Sequence, residues 1–152
     1  MILPYSLILA DGHLRFSDAL GKLLKEMPRV RVTGEAATSH DLFQLLTKAP
    51  AHLVILDASL PGLRDRGGVR RLRSQYPDTR VLLLVMDQAR EYLSHGLAAG
   101  VSGVLTKQHV GRQIFRAIDL ILRGRTYVPP MAGENNLLRR YSENTTGGLP
   151  IR

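Results

Sequence analysis

Three short runs each end in one charged residue: Ile8-Leu9-Ala10 in Asp11, Val54-Ile55-Leu56 in Asp57, and Val104-Leu105-Thr106 in Lys107. Two carboxylates and an ammonium, if brought together, suit a phosphoryl group, a divalent metal, or both. Hard cations such as Mg²⁺ take carboxylate and water oxygens, and a carboxylate can itself attack phosphorus to give an acyl phosphate. Runs of this kind predict strands buried on both faces. In an open parallel sheet, ligands collect at the carboxyl ends of the strands. The three charged groups are therefore expected at one edge of one sheet.

The elements that must position them follow from the rest of the chain. Its 152 residues are enough for one domain with some tail, and 44% hydrophobic content supplies a core. Aromatics are only 5%, so that core must be aliphatic. There is no cysteine, hence no disulfide framework and no thiolate metal site. Histidines are scattered, so a zinc site is not expected. No apolar run approaches the roughly 18 residues of a membrane span, and the N-terminus lacks the pattern of a signal peptide. A cytoplasmic protein without membrane association is the expectation. The formal charge is +8, with 17 of the 21 basic residues arginine. That balance is compatible with nucleic acid, anionic lipid or an acidic partner and does not choose among them. No aromatics interleave with the arginines to make a stacking surface for single strands.

Strand and helix patterns alternate five times. Strands are expected at Tyr5 to Ala10, Val30 to Ala36, Leu53 to Asp57, Arg80 to Met86 and Val101 to Thr106. Helical spacing recurs in Leu20, Leu23, Leu24 and Met27, stopped by Pro28. It returns in Leu42, Leu45, Leu46 and Ala49, capped by Ser39 and stopped by Pro50. Val69, Leu72 and Tyr76 mark a third helix before Pro77; Ala89, Leu93 and Leu97 a weaker fourth, closed by Gly100. Ile114, Ala117, Ile118 and Ile121 make an amphipathic fifth, ended by Gly124. Such alternation predicts an α/β fold, a parallel sheet covered by helices on both faces. After Gly124 the composition changes: Pro129-Pro130, Asn135-Asn136 and Thr145-Thr146-Gly147-Gly148 read as linker, with Leu137, Leu138 and Tyr141 able to anchor a short helix.

In this order and spacing the motifs resemble the receiver domain of two-component response regulators, over roughly residues 5 to 124. Ala10-Asp11-Gly12-His13 is similar to the family's acidic turn, Asp57-Ala58-Ser59-Leu60-Pro61-Gly62 to its phosphoacceptor loop, and Leu105-Thr106-Lys107 to the end of its fifth strand. Gly124-Arg125-Thr126-Tyr127-Val128-Pro129-Pro130 resembles the linker of the NarL/LuxR class, in which a helix-turn-helix DNA-binding domain follows. The resemblance implies a flavodoxin-like, doubly wound five-stranded parallel sheet of order 2-1-3-4-5. It implies residues 1–124 as receiver and 125–152 as a linker or tail leading towards an effector domain absent from this chain. Asp57 becomes the phosphoacceptor, Lys107 the phosphate-binding lysine, and Asp11, Asp57 and the Ser59 backbone carbonyl the Mg²⁺ ligands. Implied partners are a sensor histidine kinase and a second copy of the chain, with Arg112, Arg116 and Arg123 of the fifth helix on a dimer face. DNA would be met only through the missing domain. The role is regulatory, not enzymatic.

Four changes depart from the family. Gly12 stands where a second acid supplies a direct metal ligand, which lowers the expected Mg²⁺ affinity. Val85 replaces the hydroxyl residue that bonds the phosphoryl group, and valine has no donor. Val104 replaces the switch aromatic, and Arg64-Asp65 align with an Asp-Gly pair. Two receiver readings stay open: a degenerate one that signals without phosphorylation, and a working one with weakened metal dependence, for which Asp65 and Asp87 are candidate replacement carboxylates. A third reading is a small phosphatase-like hydrolase with Asp57 as nucleophile. It lacks a glycine-rich phosphate loop and an acid two residues after Asp57. Blander readings stand beside these. Asp11 alone is compatible with capping the following helix, His13 reads as structural, and Arg64, Arg66, Arg70, Arg71 and Arg73 read first as a solvated helix face.

Overall fold

The computed structural model describes residues 3–63, 67–86 and 95–129. Five strands, β1 (Tyr5–Ala10), β2 (Val30–Ala36), β3 (Leu53–Asp57), β4 (Arg80–Val85) and β5 (Gly103–Thr106), form one parallel sheet in the order β2-β1-β3-β4-β5. The helices are α1 (Leu14–Leu24), α2 (Ser39–Lys48), α3 (Gly68–Gln75) and α4 (Val110–Leu122), with a helical turn at residues 95–98. This is the flavodoxin-like arrangement expected from the sequence.

Strand alternation divides the core in two. Leu7, Leu9, Leu53, Ile55, Leu82, Leu84 and Leu105 pack with Leu20 and Leu24 of α1 and Ile114, Ala117, Ile118 and Ile121 of α4. Ile8, Ala10, Val54, Leu56, Leu83, Val85 and Val104 pack with Leu42 and Leu46 of α2 and Leu72 of α3. Both faces of β3 are covered, which is why Leu53 to Leu56 are apolar without alternation. The edge strand β2 alternates instead, with buried and exposed positions in turn. A register shift between Leu7 and Ile8 skips Thr33 on β2.

Local details differ from the sequence reading. The α2 cap is Thr38, not Ser39. Thr38 keeps an extended backbone and its side chain accepts from Asp41 N at 3.1 Å, whereas Ser39 is already helical and its N–H donates to Pro61 O at 2.8 Å. β5 begins at Gly103 because Val101 N is drawn back to Gly96 O at 3.1 Å in the preceding turn. β4 ends at Val85, leaving Met86 exposed. Leu97 of the expected fourth helix is buried among the α3-side residues; Ala89 and Leu93 lie outside the described residues, as do Leu137, Leu138 and Tyr141. Beyond Gly124 the chain first pairs with the sheet. Tyr127 bridges to Gly103, accepts from Val104 N at 3.2 Å, and donates its hydroxyl to Gln113 Oε1 at 2.8 Å. Burial raises the Tyr127 phenol above its ordinary pKa, partly offset by the charge of Arg116. Among the described residues no helix is long and apolar enough to cross a membrane.

Candidate functional site

The register places the acids. Ala10 and Leu56 are partners on adjacent parallel strands, so Asp11 and Asp57 leave the sheet side by side at the switch point between β1 and β3. Both are buried, with relative exposures of 5% and 1%. Lys107 follows β5, two strands from β3, and its long side chain crosses that gap. Its Nζ lies 2.7 Å from Asp11 Oδ2 and 3.5 Å from Asp57 Oδ2. The ammonium also sits 4.4 Å over the Phe16 ring, whose negative face helps to orient it. Asp11, Asp57 and Lys107, assigned from sequence, are thus brought together.

The loop after β3 is built to hold Asp57. Ala58 N donates to Leu84 O at 2.8 Å and Leu60 N to Asp57 O at 3.0 Å. Ser59 turns both its N–H, at 3.1 Å, and its hydroxyl, at 2.9–3.0 Å, onto the Asp57 carboxylate. Gly62 has φ +85°, and a Cβ there would lie 2.5 Å from Ser39 Oγ, so only glycine closes this loop against α2. The Ser59 hydroxyl was not anticipated, although a serine two residues after an aspartate is a known turn signal.

His13 also enters the site. Its N–H donates to Asp11 Oδ1 at 2.7 Å, so Asp11 organises the turn before α1 and is not the α1 N-cap, which is His13 itself. The imidazole Nδ1 lies 3.1 Å from Asp11 Oδ1, 3.5 Å from Asp57 Oδ2 and 3.1 Å from Lys107 Nζ. Read from sequence as structural, this half-exposed ring stands at the mouth of the acidic site. The spacing Asp11-x-His13, with an aspartate holding the turn, was the available signal.

Three of the departures from the family pattern, Gly12, Val85 and Val104, fall on described residues. Gly12 is exposed, and a Cβ there would meet Pro61 Cδ at 3.4 Å and Ala37 O at 3.5 Å, ordinary contacts that leave room for a side chain. Val85 is buried and pairs with Thr106, whose buried hydroxyl has no hydrogen-bond partner among the described residues. Val104 is buried two residues before it. Arg64, Asp65, Arg66 and Asp87 lie outside the described residues. Of the other arginines, Arg70 is exposed and Arg71 stacks 4.2 Å over Phe43. Arg73 is partly buried and donates to Thr79 O; desolvation, then the charge of Arg80, lowers its pKa, against the pull of Asp78. Arg112 and Arg116 are exposed on α4, and Arg123 is exposed at its C-cap.

A divalent cation fits the donor set. Asp11, His13 and Asp57 each offer one ligand atom, and these atoms lie within 4.8 Å of one another. Asp11 Oδ2 is buried and carries no hydrogen bond among the described residues; Lys107 meets it as an ion pair outside hydrogen-bonding angles. Two carboxylates with a free lone pair and one ammonium leave uncompensated negative charge, which a cation or a protonated partner can balance.

A model of the response regulator receiver domain matches residues 7–119. The chain is 24% identical over 135 residues to the transcriptional regulatory protein DegU of Brevibacillus brevis, a match covering 89% of this chain and 57% of DegU. The non-phosphorylated receiver domain of the stress response regulator RcsB from Escherichia coli superposes with a TM-score of 0.77 at 26% identity, covering 84% of this chain and 99% of that one. A structure of two RcsB dimers bound to two parallel DNAs shares the fold at 24% identity, with a TM-score of 0.77 and coverage of 92% and 77%. Sheet order, edge chemistry and these likenesses agree: the chain belongs to the response regulator receiver domain family. It is related to regulators of the NarL/LuxR class, of which it spans little more than half the length. The phosphatase-like alternative finds no support. Where its general acid would stand is Ser59, engaged with Asp57 itself.

Proposed function

We propose that the chain is the cytoplasmic input domain of a NarL/LuxR-type transcriptional regulator, with Asp57 as phosphoacceptor for a sensor histidine kinase. The observation that carries this reading is the convergence of Lys107 on both carboxylates, at 2.7 Å from Asp11 and 3.5 Å from Asp57. In the transfer, an Asp57 oxygen forms a bond to phosphorus as the phosphohistidine N–P bond breaks. The electron pair of that bond leaves on the imidazole, which takes up a proton. Ser59 and the loop hold the carboxylate, and Lys107 balances charge on the transferred group; positioning and neutralisation are most of what such a transfer needs. Asp11, Asp57 and, by the family pattern, the Ser59 carbonyl would hold Mg²⁺, which when bound supplies further charge neutralisation.

A homodimer using the exposed arginine face of α4 fits the reading, since an RcsB structure shows dimers. DNA would be met through an effector domain outside this chain, which spans little more than half of DegU. A second reading is favoured by a specific observation: Gly12, Val85 and Val104 together strip the metal and sensing positions while Asp57 and Lys107 remain. In that reading the domain signals through its surface without phosphate.

Intact-mass spectrometry after incubation with an acyl-phosphate donor and Mg²⁺, and separately with phosphorylated kinase, tests the proposal. The expected result is a phosphoryl adduct that Asp57→Asn abolishes. A folded protein that takes no phosphoryl group from either donor would overturn it in favour of the second reading.

A further inference from the structure

The acidic mouth holds a group that the phosphoacceptor reading does not use. His13 Nδ1 lies 3.1 Å from Lys107 Nζ, and the same ammonium lies 2.7 Å from Asp11 Oδ2 and 3.5 Å from Asp57 Oδ2. The protein's own cation thus marks a point on which three lone-pair donors converge: two carboxylate oxygens and one imidazole nitrogen. Asp11 Oδ2, buried and without a hydrogen bond, is aimed at that point. When His13 Nδ1 accepts from Lys107, its ring proton sits on Nε2 and the Nδ1 lone pair faces the cation.

From this geometry we infer that His13 is a direct metal ligand, taking the place of the acid lost at Gly12, and that the pocket selects a borderline divalent cation of the Zn²⁺ and Co²⁺ class over Mg²⁺. The inference deepens the reading of this mouth as the receiver's phosphoryl site and rests on it, but its test needs no phosphoryl transfer. Two changes drive the selectivity. Replacing an acid with glycine removes one hard anionic oxygen, the ligand type Mg²⁺ requires. Bringing in a neutral imidazole adds a nitrogen, which suits zinc, nickel and iron rather than magnesium. The turn is arranged for it. Asp11 Oδ1 holds the His13 backbone N–H at 2.7 Å and so fixes the start of the side chain; a metal–nitrogen bond requires the half-exposed ring to close about one ångström from its 3.1 Å contact with the ammonium. Lys107 must yield its central place when the metal enters.

The test is calorimetric titration of the folded chain with Zn²⁺ and with Mg²⁺, alongside long-range ¹H–¹⁵N spectra of the histidine rings. The wild type should bind Zn²⁺ about tenfold or more tightly than Mg²⁺. His13→Ala should weaken Zn²⁺ by about tenfold or more, since even groups that only orient a metal ligand are worth that much, and change Mg²⁺ by less than about twofold. One of the five histidine rings should respond to one equivalent of Zn²⁺ through its Nδ1 and be missing from the variant. Asp57→Asn should weaken both metals, placing them in this pocket. Unchanged Zn²⁺ affinity in His13→Ala, or a His13 ring that does not respond to saturating Zn²⁺, would overturn the inference. A wild type that binds Zn²⁺ through His13 yet accepts no phosphoryl group would overturn the phosphoacceptor reading alone. One phosphorylated in Mg²⁺ with His13→Ala indifferent to Zn²⁺ would overturn this inference alone.

Discussion

The two faces of the sheet reach the same carboxyl edge and end differently. On the α1 and α4 face the last residues are Asp11, Asp57 and Lys107, joined by contacts of 2.7–3.5 Å. On the α2 and α3 face they are Ala58, Val85 and Thr106, apolar apart from one hydroxyl that bonds nothing among the described residues. Strand alternation puts the two sets one residue out of phase, so a single substitution changes one face without touching the other. The difference teaches that capturing a phosphoryl group and reporting it are physically separable. On the function proposed above, the charged face would serve the first, and the apolar face offers few donors and little bulk for the second.

The largest effect should come from breaking the charged side. Lys107 is nearly buried and is the ammonium that faces both carboxyls. Lys107→Met should cost about 3 kcal/mol at neutral pH, because removing one partner leaves buried charge uncompensated. Urea unfolding should show it, and a divalent ion should restore much of the loss. If the cost is under about 0.5 kcal/mol, the pair is no stronger than a surface salt bridge and the mouth is wetter than its burial implies.

Next is repair of the missing acid. The Gly12 backbone is not in the left-handed region and its Cβ position is open, so Gly12→Asp should fold. It should raise Mg²⁺ affinity by about tenfold, or about 1.4 kcal/mol, by restoring an oxygen ligand. It should also lower the metal-free stability, since three carboxyls would then share one ammonium. Titration calorimetry and unfolding with and without Mg²⁺ read the two signs. Tighter binding without metal-free destabilisation would mean that the new side chain points away from Asp11 and Asp57.

On the apolar side the expected effect is smaller and of opposite sign. The Thr106 hydroxyl is buried without a partner among the described residues, so Thr106→Val should stabilise the domain by about 1 kcal/mol. Val85→Thr places a second hydroxyl across the register from the first. Its cost should be lower with Thr106 present than in the Thr106→Val background, and a double-mutant cycle isolates that coupling. An additive cycle would show that the two hydroxyls do not meet, and that Thr106 cannot partner a restored sensing residue.

The strands were legible because burial on both faces leaves an apolar run that few other structures require, as in Leu53 to Leu56. Their order, and with it the meeting of Asp11 and Asp57, was legible only through the family's motifs, since no local pattern says which strands are neighbours. What remained hidden depends on turns. Ser39 looks as good a cap as Thr38 until the Pro61 carbonyl claims its N–H. His13 looks structural until the Asp11 turn swings its ring over the carboxylates. Arg73 looked like one of a solvated row, yet its guanidinium tucks against Thr79. Tyr127, read as linker, pairs with β5 because its ring fills the α4 side of the core while its hydroxyl finds Gln113.

Tyr127 supplies an effect no larger and carries the comparison to the far end of β5, where a buried polar group is satisfied while Thr106 among the described residues is not. Tyr127→Phe removes one hydrogen bond to Gln113 and should cost about 1 kcal/mol at pH 7. The cost should depend on pH with a defined sign. Burial raises the folded phenol above 10.0, so the unfolded chain ionises first. The tyrosine's contribution is therefore fully present below the unfolded value and is lost as pH rises through the folded one. The advantage of wild type over Tyr127→Phe should stay constant to about pH 9 and shrink above about pH 10. Paired urea titrations at neutral and alkaline pH check this. An advantage that persists unchanged would mean that the phenol ionises equally well in both states, and that the segment after Gly124 lifts off β5 before the domain unfolds.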